Sequence, residues 1–202
     1  MTAALVPVLA LRDVVAGMAH LTGRLGFDAI DAQTARFGTQ TLRLCALDAP
    51  PNGLVRLRLD HLALRVASAD VAHARFLDLG AVRHRGFTPD GPRDIPQFHA
   101  MGVRFVFFEG PEGWPFEFCE TLGAADVAEG GDHFGIRSND LDMSAGQIAA
   151  YGAIETARYA LPGPVNVRFV RAGTTVFELF DEPGTGQPAP DKGFIGFLPG
   201  RD

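Results

Sequence analysis

The sequence has few cysteines, fewer basic than acidic residues, and no long apolar run. Its 202 residues include two cysteines, Cys45 and Cys119, too few for a disulfide framework, which favours a reducing, cytoplasmic location. The 18 Lys and Arg against 24 Asp and Glu give a net charge of -6. This charge argues against a nucleic-acid partner, which needs clustered cations. No apolar stretch reaches the roughly 18 residues of a membrane-spanning helix, and no signal peptide is expected. These absences favour a soluble globular protein without a membrane or nucleic-acid partner.

What the sequence does contain is an internal repeat. Residues 60–65, DHLALR, return as residues 132–137, DHFGIR, with the same Asp-His start and the same closing Arg. A fainter copy at 8–12 has valine in place of the histidine. In both full copies a glycine follows the histidine by 19 residues, as expected just past the end of a helix. A repeat of this kind indicates that one structural unit is used several times.

Strand and helix signals divide the chain into units of similar order. They predict an α+β protein in which a partial βαββ unit, 1–50, precedes two tandem βαβββ units, 51–122 and 123–182. A Pro- and Gly-rich tail, 183–202, is predicted to be extended, with apolar residues that dock on this chain or on a partner. In the second unit, Asp70 is the predicted N-cap of the helix. The strands predicted in that unit lie at 55–66, 81–87, 103–108 and 115–121.

The alternation of side chains along the strands predicts a polar site. Successive side chains of a strand point to opposite faces, so His61 and His133 share a face with small neighbours, opposite the large apolar residues. Glu117 and Glu178 occupy matching mid-strand positions among apolar residues, where an unpaired buried carboxylate is costly. Either histidine alone is more typical of a hydrogen-bonded core residue. The phase-matched repetition instead favours a site for one divalent metal ion, because two imidazoles and two carboxylates suit Zn, Ni, Co, Fe or Mn.

These motifs resemble the vicinal oxygen chelate superfamily, which includes glyoxalase I, bleomycin-resistance proteins and extradiol dioxygenases. There, paired βαβββ units form a cup-shaped half-barrel with a metal bound by a first-strand His and a last-strand Glu. Residues 113–118, GWPFEF, resemble the superfamily's Gly-x-x-apolar-Glu-apolar ending, and residues 173–179, GTTVFEL, resemble it with one residue more. The resemblance covers 55–182 and only partly 5–47, where Val8 stands at the histidine position. The metal ligands it implies are His61, Glu117, His133 and Glu178.

The resemblance implies three alternative functions. The favoured one is a metal-dependent lyase or isomerase of glyoxalase I type, which stabilises an enediolate from a small α-hydroxy carbonyl compound or its thiol adduct. Glu117 or Glu178 would act as the catalytic base, and the sequence leaves open which. The alternatives are an extradiol-type dioxygenase, which would need Fe or Mn, and a metal-free small-molecule binding protein of bleomycin-resistance type.

Two further features bear on substrate and assembly. Because two and a half units cannot all pair within one chain, the odd unit either pairs with its copy in a second chain, which gives the expected homodimer, or flanks the cup. The cup itself could form within one chain or across two. Four arginines are candidates for binding an anionic substrate, and each is equally typical of a structural ion pair. Two of them close the repeated motif and two lie on third strands: Arg65, Arg137, Arg104 and Arg168.

Overall fold

Two β-sheets form the body of the protein. The computed structural model describes residues 5–163, 165–181 and 192–199, and within them it has three α-helices. The helices are α1 Val14–Arg24, α2 Ala69–Asp78 and α3 Leu141–Ala149. The strands are β1 Val6–Leu11, β2 Asp28–Asp31, β3 Thr34–Phe37, β4 Gln40–Ala46, β5 Val55–Arg56, β6 His61–Arg65, β7 Arg93–Ile95, β8 Val103–Glu109, β9 Pro115–Thr121, β10 Gly130–Arg137, β11 Ile154–Leu161, β12 Val165–Ala172, β13 Thr175–Phe180 and β14 Gly193–Leu198.

The larger sheet is a half-barrel of eight strands in the order β11-β12-β13-β10-β6-β9-β8-β7. In each half the first strand of the unit pairs in parallel with the last, β6 with β9 and β10 with β13. The two halves join where β6 and β10 pair antiparallel, with His61 opposite Gly135. The structure therefore confirms the predicted α+β cup-shaped fold, and it forms the cup within one chain.

The smaller sheet has six strands in the order β2-β3-β4-β1-β14-β5. Its centre repeats the arrangement of the cup, since β1 pairs in parallel with β4 and antiparallel with β14. The strand β14 comes from the predicted extended tail, and its residues Phe194, Ile195 and Phe197 are buried. The predicted docking of these apolar residues is thus seen on this same chain. The remainder of the predicted tail, 183–191 and 200–202, lies outside the described residues.

The strand assignments differ from prediction at several points. The strand predicted at 55–66 is divided into β5, in the smaller sheet, and β6, in the cup. The first unit has one strand more than the predicted βαββ order, because β2 and β3 form a hairpin. Its turn needs neither Gly nor Pro, since the Asp31 carboxylate accepts a hydrogen bond from the Gln33 backbone N–H at 2.7 Å. In the second unit, the strand predicted at 81–87 is wrong. Only Arg83 forms an isolated bridge there, and β7 provides the edge strand instead.

The helices cover the outer face of the sheets and build the main core with them. The α2 helix begins after Ser68, whose hydroxyl accepts a hydrogen bond from the Val71 N–H, so the predicted Asp70 cap is wrong. Phe76 on α2 packs against Phe118 on β9 with ring centroids 4.4 Å apart, and both rings are fully buried. This packing directs the opposite face of β9 into the cup. In the described part of the chain, no helix has the length and apolarity to cross a membrane.

Candidate metal centre

Four buried side chains converge on one point inside the cup. His61 and His133 come from the two central strands, β6 and β10, whereas Glu117 and Glu178 come from the adjacent strands β9 and β13. One donor atom from each residue lies within 4.8 Å of those from the other three. The structure thus brings together the four residues that the sequence predicted as ligands, and all four could hold one metal ion. Their role as ligands stays a prediction.

The donor atoms of this cluster lie close together. Glu117 Oε2 lies 3.2 Å from Nε2 of His61 and 3.2 Å from Nε2 of His133. Glu178 Oε2 lies 3.7 Å and 3.3 Å from the same two nitrogens, and the two Nε2 atoms are 3.4 Å apart. Glu178 is therefore the more loosely held of the two carboxylates.

A second pair of carboxylates orients the two imidazoles. His61 Nδ1 lies 3.2 Å from Asp60 Oδ1, and His133 Nδ1 lies 2.8 Å from Asp132 Oδ1. Since an ionised carboxylate only accepts hydrogen bonds, Nδ1 carries the hydrogen, and the lone pair of a neutral imidazole is on Nε2. Both Nε2 lone pairs therefore face the cluster, as in a His ligand supported by an outer carboxylate. These aspartates are the Asp of each Asp-His motif, so the repeat carried a signal for them that the sequence prediction did not use.

The buried carboxylate of Glu117 provides the test of whether a metal fits. Glu117 Oε2 is buried and has no hydrogen bond of acceptable geometry, although both imidazole Nε2 atoms lie 3.2 Å away. Two lone pairs and two carboxylates that face one another repel unless a cation lies between them. The donor set of two nitrogens and two oxygens fits a divalent ion.

Without such an ion, the neighbouring carboxylates raise the pKa of both histidines. Burial lowers the pKa of His61, but its contacts with Asp60 and Glu117 outweigh burial and raise the pKa to about 9. Burial also lowers the pKa of His133, and the Glu178 charge with the Asp132 contact raises it well above its usual value. Burial raises the pKa of Glu117, but the two histidines lower it further than burial raises it. Protons and a metal ion therefore compete for the same two nitrogens.

A glycine makes room for this arrangement. Gly135 lies opposite His61 in the β6–β10 pairing. A Cβ atom at Gly135 would lie 2.0 Å from Cε1 of the His61 ring, so any side chain there would displace the imidazole. The first copy of the motif has Ala63 at the corresponding position. The close approach of the His61 ring therefore accounts for the glycine in the second copy.

The cluster lines a cavity of about 150 Å³ inside the cup. Most of the other lining residues are apolar, and they come chiefly from β8, β12, β7 and the segments on either side of β7. Cys119 also lines the cavity, and burial, followed by the Glu117 charge, raises the pKa of its thiol. A protonated buried thiol is typical of a packing residue. The aromatic lining residues are Phe87, Phe98, Phe105, Phe107, Phe169 and Phe180.

None of the four predicted substrate-binding arginines is among the described residues that line the cavity. Arg104 forms ion pairs with Asp70 at 2.9 Å and Asp94 at 2.7 Å, and Arg168 pairs with Asp142 at 2.6 Å. These contacts match a structural ion pair, which the sequence analysis gave as the equal alternative to substrate binding.

The other two arginines close the repeated motifs. Arg137 pairs with Asp60 at 3.1 Å and so supports the carboxylate behind His61. Arg65 Nε donates a hydrogen bond to the Ala128 carbonyl at 3.1 Å. Substrate binding by the four arginines stays a prediction, and these contacts do not support it.

Comparison with known proteins supports the fold. No protein-family model matches the sequence, and no curated protein matches it. The structure of glyoxalase I from Zea mays is similar with a TM-score of 0.68 and 17% identity, over 97% of this chain and 72% of that one. Methylmalonyl-CoA epimerase from Mycobacterium tuberculosis gives a TM-score of 0.47 and 18% identity, over 67% of this chain and 93% of that one. At 17% identity the likeness to glyoxalase I shows the fold and not the activity. This chain has the fold of the vicinal oxygen chelate superfamily, as its sequence motifs predicted.

Proposed function

We propose that this protein is a metal-dependent lyase or isomerase of glyoxalase I type, which moves a proton within a small α-hydroxy carbonyl compound or its thiol adduct. The observation that carries this proposal is the convergence of His61, Glu117, His133 and Glu178 beside an apolar cavity. The likeness in fold to glyoxalase I from Zea mays agrees with it.

The four clustered residues would hold one divalent ion, with Zn, Ni, Co, Fe and Mn as candidates. Such an ion supplies Lewis-acid chemistry, because it polarises substrate oxygens and stabilises the negative charge of an enediolate. Asp60 and Asp132 would keep the imidazoles oriented through their Nδ1 hydrogens.

A carboxylate of the cluster would move the proton, and the contacts favour Glu178. Glu178 Oε2 is 3.7 Å from His61 Nε2, whereas Glu117 Oε2 is 3.2 Å from both imidazoles. The more loosely held carboxylate can turn toward a carbon atom of the substrate with less loss of contacts.

The two alternative functions use the same cup. An extradiol-type dioxygenase needs a triad of two His and one carboxylate, one donor fewer than this cluster has. In a metal-free binding protein, protonated histidines would be the cations that balance the two buried carboxylates. Both alternatives, the homodimer and the cytoplasmic location stay predictions.

Purification without added metal, followed by mass spectrometry of bound metal, tests the site. We expect about one equivalent of a divalent ion, and its loss in the His61→Ala/His133→Ala variant. The His20→Ala/His73→Ala variant removes two histidines outside the cluster and is expected to retain the ion. If the protein binds none of the candidate ions, the proposed metal site is wrong.

The reaction is tested with the metal-loaded protein in deuterium oxide. Small α-hydroxy carbonyl compounds, offered with and without a thiol, should exchange the hydrogen on the carbon beside the carbonyl, measured by nuclear magnetic resonance. The Glu178→Gln variant should lose the exchange. If ring cleavage of a catechol with uptake of oxygen is observed instead, the dioxygenase replaces the proposed function.

A further inference from the structure

We propose that the cup selects a neutral substrate with an aromatic ring, and that it rejects thiol conjugates that carry carboxylates or phosphates. This inference rests on the proposed function, because it concerns the part of the substrate that extends away from the reacting oxygens. Three observations carry it: the size of the cavity, the placement of its aromatic side chains and the sign of its charges.

The size of the cavity suits one ring. A dry apolar cavity of about 150 Å³ accommodates a benzene-sized ligand. The cavity beside the His and Glu cluster has about this volume. A long conjugate with peptide or nucleotide parts would extend beyond this ring-sized space into the adjoining pocket, which shares Phe87, Phe105 and Val165 with the cavity.

The aromatic side chains stand on both sides of the donor cluster. Phe107 lies beside His61 with ring centroids 5.0 Å apart, and Phe169 lies beside His133 at 6.0 Å. Phe87 stacks on Phe107 at 4.4 Å and 21°, and Phe98 meets Phe169 edge to face at 5.2 Å. An aryl group between these walls gains stacked and edge-to-face contacts. Its oxygens would then lie at the histidines and glutamates.

The charges of the cavity oppose an anion. Its described lining residues include the acids Glu117, Glu178 and Asp132, and none of them is Lys or Arg. A divalent ion held by the cluster would balance the charges of Glu117 and Glu178, which leaves Asp132 as the acid of the lining and no Lys or Arg side chain there to receive a second anionic group. A carboxylate or phosphate requires a cationic partner when it is buried. Arg137 and Arg168, on strands of the same sheet, pair with the protein's own Asp60 and Asp142.

Three small ligands test separately how the aromatic ring and a negative charge of the ligand affect binding. 2-Hydroxyacetophenone is a neutral aryl α-hydroxy ketone, its 4-carboxylate analogue adds one negative charge, and hydroxyacetone keeps the oxygens but lacks the ring. Isothermal titration calorimetry on the metal-loaded protein should show 2-hydroxyacetophenone binding about tenfold or more tightly than either of the others. Equal or tighter binding of the carboxylate analogue would overturn the charge selection. Equal binding of hydroxyacetone would overturn the aromatic selection.

A matched pair of variants at the cavity edge tests whether an added cation allows the cup to bind an anionic ligand. Val165 begins β12, is partly exposed and lines the cavity. Val165→Lys supplies a cation and should strengthen binding of the 4-carboxylate analogue about tenfold, whereas Val165→Met, of similar length and uncharged, should not. If both variants bind the analogue as the unmodified protein does, charge does not govern entry to the cup.

One further titration distinguishes failure of this inference from failure of the proposed function. Acetophenone has the ring but lacks the hydroxyl group, and we expect it to bind the metal-free protein. Binding of acetophenone by a protein that takes up no metal would support the aromatic cup and refute the metal site. Metal uptake without preference among the three probes would refute the aromatic cup and leave the metal site.

Discussion

The two sheets share one arrangement of central strands but differ in the chemistry between them. In the cup, β6 and β10 run antiparallel and carry His61 and His133, and Glu117 on β9 pairs with Ala63. In the smaller sheet, β1 and β14 run antiparallel and β4 lies beside β1. There Cys45 pairs with Ala10 as Glu117 pairs with Ala63. Cys45 thus takes the place of the acid.

The smaller sheet fills the equivalent place with apolar side chains. Val8, two residues before Ala10, corresponds to His61, two residues before Ala63. Val8, Ala10, Cys45 and Ile195 form a separate buried apolar cluster. Such a cluster is stabilised by packing alone and needs no ion. The comparison teaches that the strand pairing is the common scaffold, and that a few residue choices decide whether its centre is an apolar core or a cluster of potential metal ligands.

The largest effect is expected from the acids of the cup. Glu178→Gln should lower kcat about 10²–10⁴-fold, the range for loss of a general base, because an amide cannot accept the proton. Glu117→Gln should lower it less. Steady-state kinetics measures kcat for both variants, and the metal content of each variant is measured in parallel.

Cys45→Ala is the matched control, since Cys45 occupies the position of Glu117 in the smaller sheet. It should leave kcat within about twofold, because no reaction is expected there. An equal loss of activity in this control would mean that the two sheets do not differ in the proposed way.

The next effect concerns the carboxylates behind the histidines. Asp132→Asn and Asp60→Asn should each weaken metal binding about 10–100-fold, because an outer partner orients the imidazole and raises its basicity. A competition titration with a chelator measures the change. Asp78→Asn, at an exposed position on α2, should leave the affinity unchanged. Unchanged affinity in the first two variants would show that the aspartates do not support the ligands.

A smaller effect is expected from a polar atom in the apolar cluster of the smaller sheet. Val8 is fully buried, so Val8→Thr should lower the free energy of unfolding by about 1–3 kcal/mol, the range for a buried hydroxyl without a partner. Val15→Thr makes the same change at a residue that is 80% exposed, and should cost less than about 0.5 kcal/mol. Urea denaturation measures both. Similar values would indicate that Val8 lies in a polar environment.

A further effect is a pH dependence of the metal-free protein. The pKa of His61 rises from 6.5 to about 9 on folding, so the folded state binds this proton more tightly than the unfolded chain. The resulting stability is fully present below pH 6.5 and is lost as pH rises through about 9. The denaturation midpoint should fall across this interval, and the His61→Ala/His133→Ala variant should show a flatter profile. A midpoint that rises over the same interval would contradict the raised pKa.

Much of the candidate site was predictable from particular residues. The repeated Asp-His and the matching positions of Glu117 and Glu178 identified four donors, because alternation along a strand places them on one face. The β2–β3 hairpin was not predictable, because its Asp31 turn lacks the Gly or Pro on which such predictions depend. The helix cap at Ser68 was missed because Asp70 is an equally good capping residue two positions later.

The sequence by itself determined the order of the units and the identity of the donor residues, since both follow from local periodicity and composition. Only the tertiary structure decided which copies pair. The three units have similar local patterns, so nothing local distinguishes the pairing of β6 with β10 from pairing with a second chain. It also decided that Arg104, Arg137 and Arg168 pair with aspartates, and that β14 returns to β1. Contacts between residues far apart in the sequence govern these choices, and a local pattern does not encode them.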